Sequence, residues 1–265
     1  MIVTNSMLQA FKACKKRGVL FAKGYKPKMQ TPQANVGSIV HKCIELDQEH
    51  PVLLAANNID AAVSLTCYYA AKEFLSKNKY YLRSKEVKSE VLIETSVGKH
   101  TFKGKVDILL DHAILDIKTV HWMGAPRKNT PLELYALVNT QLKRYVWALN
   151  RMGHEIFAGG LLFIVKPGKS MRNGETIWEY AERNYKDVRV ELSYVDFLWE
   201  DMGKVGEEIE RLADELEEYM KKEMGCIEEN HDSCLVKWPC DYYKLCFFDN
   251  DLGDYVKASP TWELS

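Results

Sequence analysis

The chain has 265 residues, of which 46% are hydrophobic and 28% charged, and its formal net charge is −1. This length allows one large α/β domain or a core with a small appendage. The absence of a long apolar run and of a signal-peptide pattern argues against a membrane-spanning or secreted class, so we expect a cytoplasmic protein.

Charged residues are unevenly distributed along the chain, although the net charge is close to zero. Acidic residues concentrate in 207–229, whereas 12–28 and 99–105 are basic. A protein of this kind can still present a positive groove to nucleic acid, because charges of opposite sign are separated along the chain.

The first third of the chain is predicted to be helical. Ser6 is a suitable N-cap for a helix that runs to Cys14. Apolar residues with helical spacing predict two more helices, over 37–49 and 58–75. Alternating and β-branched residues then predict three successive strands over 86–95, 101–110 and 113–119, the last two joined by a tight turn.

The second half of the chain is predicted to alternate between helices and strands. Pro131 suits the first turn of a long helix that ends at Asn150. The apolar run 156–165 predicts a buried edge strand that pairs in parallel. Further predicted elements are strands over 176–185 and 188–192, a long helix over 194–224, and a cysteine-bearing tail from residue 226.

The two central strands carry the main chemical signal. Asp107 lies in the first strand, and Asp116 and Lys118 point to one face of the second, since side chains alternate along a strand. A hairpin between them brings the two carboxylates together at the rim of an apolar sheet. Paired carboxylates commonly bind a divalent cation, and this arrangement predicts a metal-dependent phosphodiesterase.

These residues and others in the same order resemble the PD-(D/E)xK nuclease superfamily, and within it the RecB-like exonucleases. The matching features are the helix 6–14 ending in Cys14, Gly37-x-x-x-His41, Glu90 before the hairpin, Gly104-x-x-Asp107, Asp116-Ile117-Lys118, Gln141-x-x-x-Tyr145, and the cysteines Cys234, Cys240 and Cys246. The resemblance implies an α/β fold with a restriction-endonuclease-like core, in which helices flank a central mixed β-sheet, followed by a cysteine-rich tail.

The resemblance also implies roles for the site residues. Mg²⁺ or Mn²⁺ is expected to be held by Asp107, Asp116, the Ile117 backbone carbonyl and His41. Lys118 is expected to orient the attacking water and to stabilise transition-state charge.

Three further residues are candidates for the same site. Gln141 and Tyr145 lie four residues apart on one helix face, so both can reach one groove. Glu45 lies one turn after His41; it either holds a second metal or a metal-bound water, or is a surface glutamate.

The cysteines have two interpretations. By the resemblance, Cys14, Cys234, Cys240 and Cys246 bind a [4Fe–4S] cluster that joins the two ends of the chain. The alternative is a zinc site local to the tail, completed by His231 or Cys226.

The sequence therefore predicts three parts: an N-terminal segment 1–36 carrying Cys14, a nuclease core 37–225, and a metal-binding tail 226–265. The predicted activity is that of a metal-dependent DNA exonuclease acting on single-stranded or end-frayed DNA in recombination, repair or phage replication. The alternatives are a structure-selective endonuclease with the same core and a non-catalytic DNA-binding subunit. The protein is also compatible with a helicase or recombination partner and with assembly into an oligomer.

Overall fold

The chain folds into two compact units, each assembled from separate stretches of sequence. The computed structural model describes residues 1–27, 32–49, 58–78, 83–197, 199–234, 240–242, 246 and 255–257. The first unit comprises Met1–Gln30, Leu92–Gly104 and Glu200–Ser265, and the second comprises Thr31–Val91 and Lys105–Trp199. The three-part division by role remains a prediction.

The second unit is built on a mixed sheet. Strands β4 (His100–Leu109), β5 (Ala113–Val120), β6 (Ala158–Val165) and β7 (Arg189–Asp196) lie in that order, and β3 (Lys88–Val97) also pairs with β4. Pairing is antiparallel between β4 and β5, parallel between β5 and β6, and antiparallel between β6 and β7. The predicted parallel pairing is present, but β6 is an interior strand because β7 covers its other side.

Helices flank this sheet. They are α3 (Pro32–Leu46), α4 (Ile59–Lys77), α5 (Glu133–Leu137), α6 (Thr140–Arg151) and α7 (Ile177–Asn184). Side chains of α3, α4 and α7 join a core with the face of the sheet that carries Leu115, Ile117 and Leu162. Helix α6 packs against β5 and β6, and α5 against β6 and β7. The predicted α/β class, with helices around a central mixed sheet, is confirmed.

The close packing of the central strands explains two glycines in β6. A Cβ atom at Gly160 would lie 2.9 Å from Leu115 Cδ2 and 3.0 Å from the Ser193 carbonyl oxygen, and one at Gly159 would lie 2.9 Å from Phe197. Glycine in a strand interior often marks such a close approach. The sheet beside β5 is therefore tightly packed, which holds the side chains of β5 in place.

In its described residues, the first unit has two short strand pairs and three α-helices. Strand β1 (Ile2–Thr4) pairs in parallel with the first part of β4, and β2 (Tyr25–Pro27) pairs antiparallel with β8 (Tyr255–Lys257). The helices are α1 (Asn5–Ala13), α2 (Lys15–Ala22) and α8 (Trp199–Met220). Across the described residues of both units, we find no helix with the length and apolar character needed to cross a membrane.

One predicted strand is wrong: residues 177–184 form helix α7. Its start is a capping box, in which Glu179 N donates to Thr176 Oγ1 and Thr176 N donates to the Glu179 carboxylate. Thr-x-x-Glu is a recognised helix start signal, and it outweighs the β-branched residues that suggested a strand.

Other element boundaries also differ from the predictions. The single helix expected over 131–150 is two helices, because Asn139 caps a new one by accepting a 2.9 Å hydrogen bond from Leu142 N. The first helix is capped by Thr4 rather than Ser6, and a second helix follows it directly after Cys14. Residues 194–196 belong to β7 and not to the long helix that follows.

Candidate metal and catalytic site

Three potential metal ligands from three elements meet in the second unit. One ligand atom each of His41 on α3, Glu90 on β3 and Asp107 on β4 lie within 4.8 Å of one another. His41 Nδ1 is 3.3 Å from Asp107 Oδ1, and the side chains of these two residues are 29% and 12% exposed. An imidazole with two carboxylates is a donor set suited to a divalent cation such as Mn²⁺.

Glu90 has an unusual backbone and an incompletely satisfied side chain. Its φ is +55°, in the left-handed region that non-glycine residues seldom adopt, at a cost of order 1–3 kcal/mol. Its Oε2 atom is buried and accepts no hydrogen bond from the described residues, although the Lys105 ammonium forms an ion pair with it. Glu90 was not expected to be a ligand; the available signal in the sequence was its position before the hairpin.

Asp107 connects the two central strands. The β4–β5 register pairs Leu109 with Ile114 and Ile108 with Leu115, and Asp107 and Asp116 are the residues next to this last pair on each strand. Asp107 Oδ2 accepts a 2.6 Å hydrogen bond from the Ile117 backbone N–H. Ile117 thus reaches the site through its N–H, and the ligand role of its carbonyl remains a prediction.

Asp116, Lys118 and Gln141 form a closed polar cluster beside these ligands. Lys118 Nζ lies 2.6 Å from Asp116 Oδ2 and donates to Gln141 Oε1 at 3.1 Å. Gln141 Nε2 in turn donates to Asp116 Oδ1 at 2.9 Å. Asp116 is only 5% exposed and lies on a central strand rather than at the rim of the sheet. Each of the three groups therefore fixes the orientation of the other two.

Burial dominates the electrostatics of this cluster. It raises the pKa of Asp116 to about 6; the Lys118 charge opposes this shift, and the Asp107 charge adds to it. Burial lowers the pKa of His41. The hydrogen bond to Asp107 and the negative charges of Asp107 and Asp116 outweigh this effect, so the His41 pKa is raised overall. Concentrated negative charge of this kind favours an added cation.

Tyr145 lies one helical turn after Gln141 and is 7% exposed. Burial and the Asp116 charge raise its pKa to about 12. Hydrogen bonds to Gln141 and to the Lys105 backbone oppose this shift. The hydroxyl is therefore neutral at physiological pH and connects α6 to β4.

Glu45 lies outside the three-ligand group. Its Oε2 accepts a 2.6 Å hydrogen bond from Lys42 Nζ, three residues earlier on the same helix. The structure places Glu45 one turn from His41, as expected from the sequence, with a lysine as its partner. Its role as a second metal ligand remains a prediction.

The predicted cluster cysteines all lie in the first unit. Cys14, Cys234 and Cys240 are buried, Cys246 is partly buried, and all of these thiols are free. Asn230 N donates to Cys14 Sγ at 3.5 Å, and Cys234 Sγ donates to Asn230 O at 3.6 Å.

Two of these thiols, Cys234 and Cys246, have raised pKa values. The pKa of Cys234 is raised mainly by burial, and to a lesser extent by the neighbouring Cys240 and Cys14. Burial also raises the pKa of Cys246 to about 12, with Cys234 and Cys14 among the lesser contributors. Mostly buried thiols in one unit, with the Asn230 backbone N–H directed at one sulfur, are compatible with a thiolate-bound metal group.

A second His–carboxylate group, in the first unit, is paired with a lysine. His100 Nε2 lies 3.0 Å from Asp214 Oδ1, and Glu217 completes the group. Lys99 forms ion pairs with both carboxylates, at 3.1 Å and 2.8 Å. The lysine supplies the positive charge that a metal would otherwise bring.

Comparison with solved structures identifies similar folds. A crystal structure of a protein from Eubacterium rectale, named "Putative exonuclease", matches with a TM-score of 0.56 and 14% identity, over 88% of this chain and 85% of that chain. The crystal structure of SSO0001 matches with a TM-score of 0.39 and 16% identity, over 93% of this chain and 85% of that one. No protein-family model and no curated protein matches the sequence. At this identity the first match shows the fold alone, a mixed sheet flanked by helices.

Proposed function

We propose that this chain is a metal-dependent deoxyribonuclease of the PD-(D/E)xK type, in its RecB-like exonuclease branch. The observation that carries the proposal is the convergence of Asp107, Asp116 and Lys118 with His41 and Glu90 in one unit. The similar fold of a protein named as an exonuclease supports the same reading. DNA with single-stranded or frayed ends is the proposed substrate.

The donor set fits a divalent cation. His41, Glu90 and Asp107 would hold Mg²⁺ or Mn²⁺, with Asp116 and the Ile117 carbonyl as the further ligands predicted from the sequence. The proximity of their ligand atoms, within 4.8 Å of one another, supports this assignment; Lys105, which pairs with Glu90, would have to give way to the cation. When bound, such a cation would act as a Lewis acid that activates water near neutral pH and offsets the negative charge of the phosphate.

The charged lysine is positioned to act on the reacting phosphate. Lys118 is fixed on one side by Asp116 and on the other by Gln141, yet its side chain remains 35% exposed. An ammonium held in place before the reaction stabilises developing negative charge without reorganisation. Gln141 positions this lysine, and neutral Tyr145 supports Gln141.

Mutation of this cluster tests the assignment. Lys118→Ala and Asp116→Asn are each expected to lower the cleavage rate on the order of 10²-fold or more. Matched controls are the exposed Lys186→Ala and Asp196→Asn, which should cleave at the normal rate. Near-normal cleavage by Lys118→Ala would contradict the proposed site.

Digestion of different DNA forms separates the possible activities. End-labelled single-stranded DNA, linear duplex and a covalently closed circle are incubated with Mg²⁺, Mn²⁺ or chelator. An exonuclease degrades the linear forms only. Equal cutting of the circle would support the endonuclease alternative, and DNA binding without any cleavage would support a non-catalytic subunit.

A further inference from the structure

The chain between β5 and α6 forms a loop whose two ends meet at the candidate site. Lys118 lies near the end of β5, and Gln141 is the second residue of α6; their side chains are hydrogen-bonded at 3.1 Å. We call residues 121–138, which include helix α5 (Glu133–Leu137), the site loop. Because the loop is closed by two site residues, it borders the site.

The site loop carries the most exposed apolar surface in the described part of the chain. The three most exposed large hydrophobic side chains are Val138 (69%), Trp122 (67%) and Met123 (57%). Leu134 and Leu137, both 41% exposed, lie on the same loop. Clustered exposed apolar groups mark binding surfaces more often than isolated ones do.

Several hydrogen bonds hold the site loop in a fixed shape. Arg127 N donates to the Tyr135 hydroxyl at 2.8 Å, within the loop. Ser193 on β7 anchors the loop at two points, because its hydroxyl donates to Leu132 O and accepts from Ala136 N at 2.9 Å. A surface ordered before binding loses less conformational entropy when a ligand arrives.

The exposed charges of the site loop are mainly positive. Arg127 and Lys128 are exposed, and Glu133 is its acidic residue. Between described residues, no ion pair involves Arg127 or Lys128, so both are available to phosphate groups. Aromatic and apolar side chains next to basic ones are the composition of surfaces that bind single-stranded nucleic acid.

We propose that the site loop is the binding platform for the single-stranded end of the substrate. Trp122 stacks on a base, and Arg127 and Lys128 contact phosphates. Trp122 is four residues after Lys118, which limits their Cα separation to about 14 Å. The stacked base therefore belongs to a nucleotide close to the reacting phosphate. This inference rests on the proposed nuclease function and names the residues that select single strands.

The experiment measures DNA binding apart from cleavage. Fluorescence anisotropy of an end-labelled oligothymidylate reports affinity for the Asp116→Asn protein, with and without Trp122→Ala. Loss of one stacked base should weaken binding between about fivefold and a hundredfold. Trp122→Phe should retain most of the affinity, since an aromatic face remains.

A second exposed tryptophan provides the matched control. Trp178 on α7 is 41% exposed, and Trp178→Ala should leave the affinity unchanged. Circular dichroism melts of all variants check that each is folded. In protein with Asp116 intact, Trp122→Ala should raise KM for single-stranded DNA more than it lowers kcat.

The outcomes separate this inference from the proposed function. The platform would be overturned if Trp122→Ala left the DNA affinity and KM unchanged, or if Trp178→Ala lowered the affinity equally. Either result would count against the platform even if the protein cleaves DNA. The loop would then be a surface for a protein partner. Weaker binding in Trp122→Ala by a protein that cleaves no DNA would support the platform and overturn the nuclease.

Discussion

At the scale of a single residue, Asp116 shows the electrostatic cost of the candidate site. The carboxylate is 5% exposed on a central strand, and Lys118 is its ion-pair partner. Burial nevertheless raises its pKa to about 6, so the folded protein disfavours the ionised form in the absence of a metal. Catalytic sites commonly hold groups in such unfavourable environments.

This raised pKa gives a pH-dependent stability prediction. An unfolded aspartate has a pKa near 3.9, so between about pH 4 and 6 the folded state binds more protons than the unfolded state. The stability of the metal-free protein should therefore fall as the pH rises through this window. The loss is up to about 3 kcal/mol above pH 6, from a shift of roughly two units.

Asp116→Asn checks that prediction directly. By removing the buried charge, it should raise the free energy of unfolding at pH 8, and the gain should vanish near pH 4. Urea unfolding with chelator present measures both values, with the exposed Asp196→Asn as the control. Lower stability of Asp116→Asn at pH 8 would mean that Lys118 and Gln141 stabilise the carboxylate more than burial costs.

The proposed metal ligands give a second residue-scale prediction. His41→Ala and Glu90→Gln should each weaken Mn²⁺ binding in isothermal titration calorimetry, on the order of tenfold or more, since each removes a donor from the group. Glu45→Gln is the control on the same helix as His41, and its affinity and stoichiometry should be unchanged because Glu45 pairs with Lys42. A lower stoichiometry in Glu45→Gln would indicate a second metal.

At the scale of elements, the sequence correctly predicted those strands whose formation depends on the local pattern of apolar residues. Strands β4, β5 and β6 follow apolar alternation or continuous apolar runs, and their observed bounds agree with the predictions within two residues. The hairpin register then follows from the short turn, which brings the Asp107 side chain to the Ile117 N–H, beside Asp116. The helix α7 was missed because its capping signal competes with β-branched and aromatic residues that favour strands.

Helix α7 should be sensitive to its cap. Thr176→Ala removes the hydroxyl that accepts from Glu179 N, which should lower the free energy of unfolding by about 1 kcal/mol. Chemical denaturation measures the change, and cleavage activity should be unaffected. Thr176→Ser retains the hydroxyl and should restore stability. No change in Thr176→Ala would show that tertiary packing alone maintains the helix.

At the scale of the whole molecule, long-range contacts set the limit of sequence reasoning. The resemblance placed His41 near the hairpin, but the contribution of Glu90 depends on a strained backbone and on contacts among α3, β3 and β4 that no local pattern encodes. The four thiols are a similar case, because Cys14 and Cys234 are distant in sequence and share Asn230 as a hydrogen-bond partner.

These thiols give the last prediction, which concerns a [4Fe–4S] cluster in the first unit. Protein purified without oxygen should be brown and should contain about four irons per chain. Cys14→Ser should remove the colour as fully as Cys240→Ser or Cys246→Ser, since loss of one thiolate opens the cluster. Closure of the long loop between Cys14 and Cys234 should contribute roughly 5 kcal/mol by the cross-link estimate, so Cys14→Ser should also lower thermal stability.

Two cysteines outside the group provide the controls, and metal analysis separates the alternatives. Cys43 and Cys67 are fully buried in the core of the second unit, so Cys43→Ser and Cys67→Ser should retain colour and iron. A colourless protein with one zinc, unaffected by Cys14→Ser, would contradict the cluster. It would indicate a zinc site completed by His231 or Cys226 in the tail, because a four-coordinate site of that kind needs no ligand from the N-terminal segment.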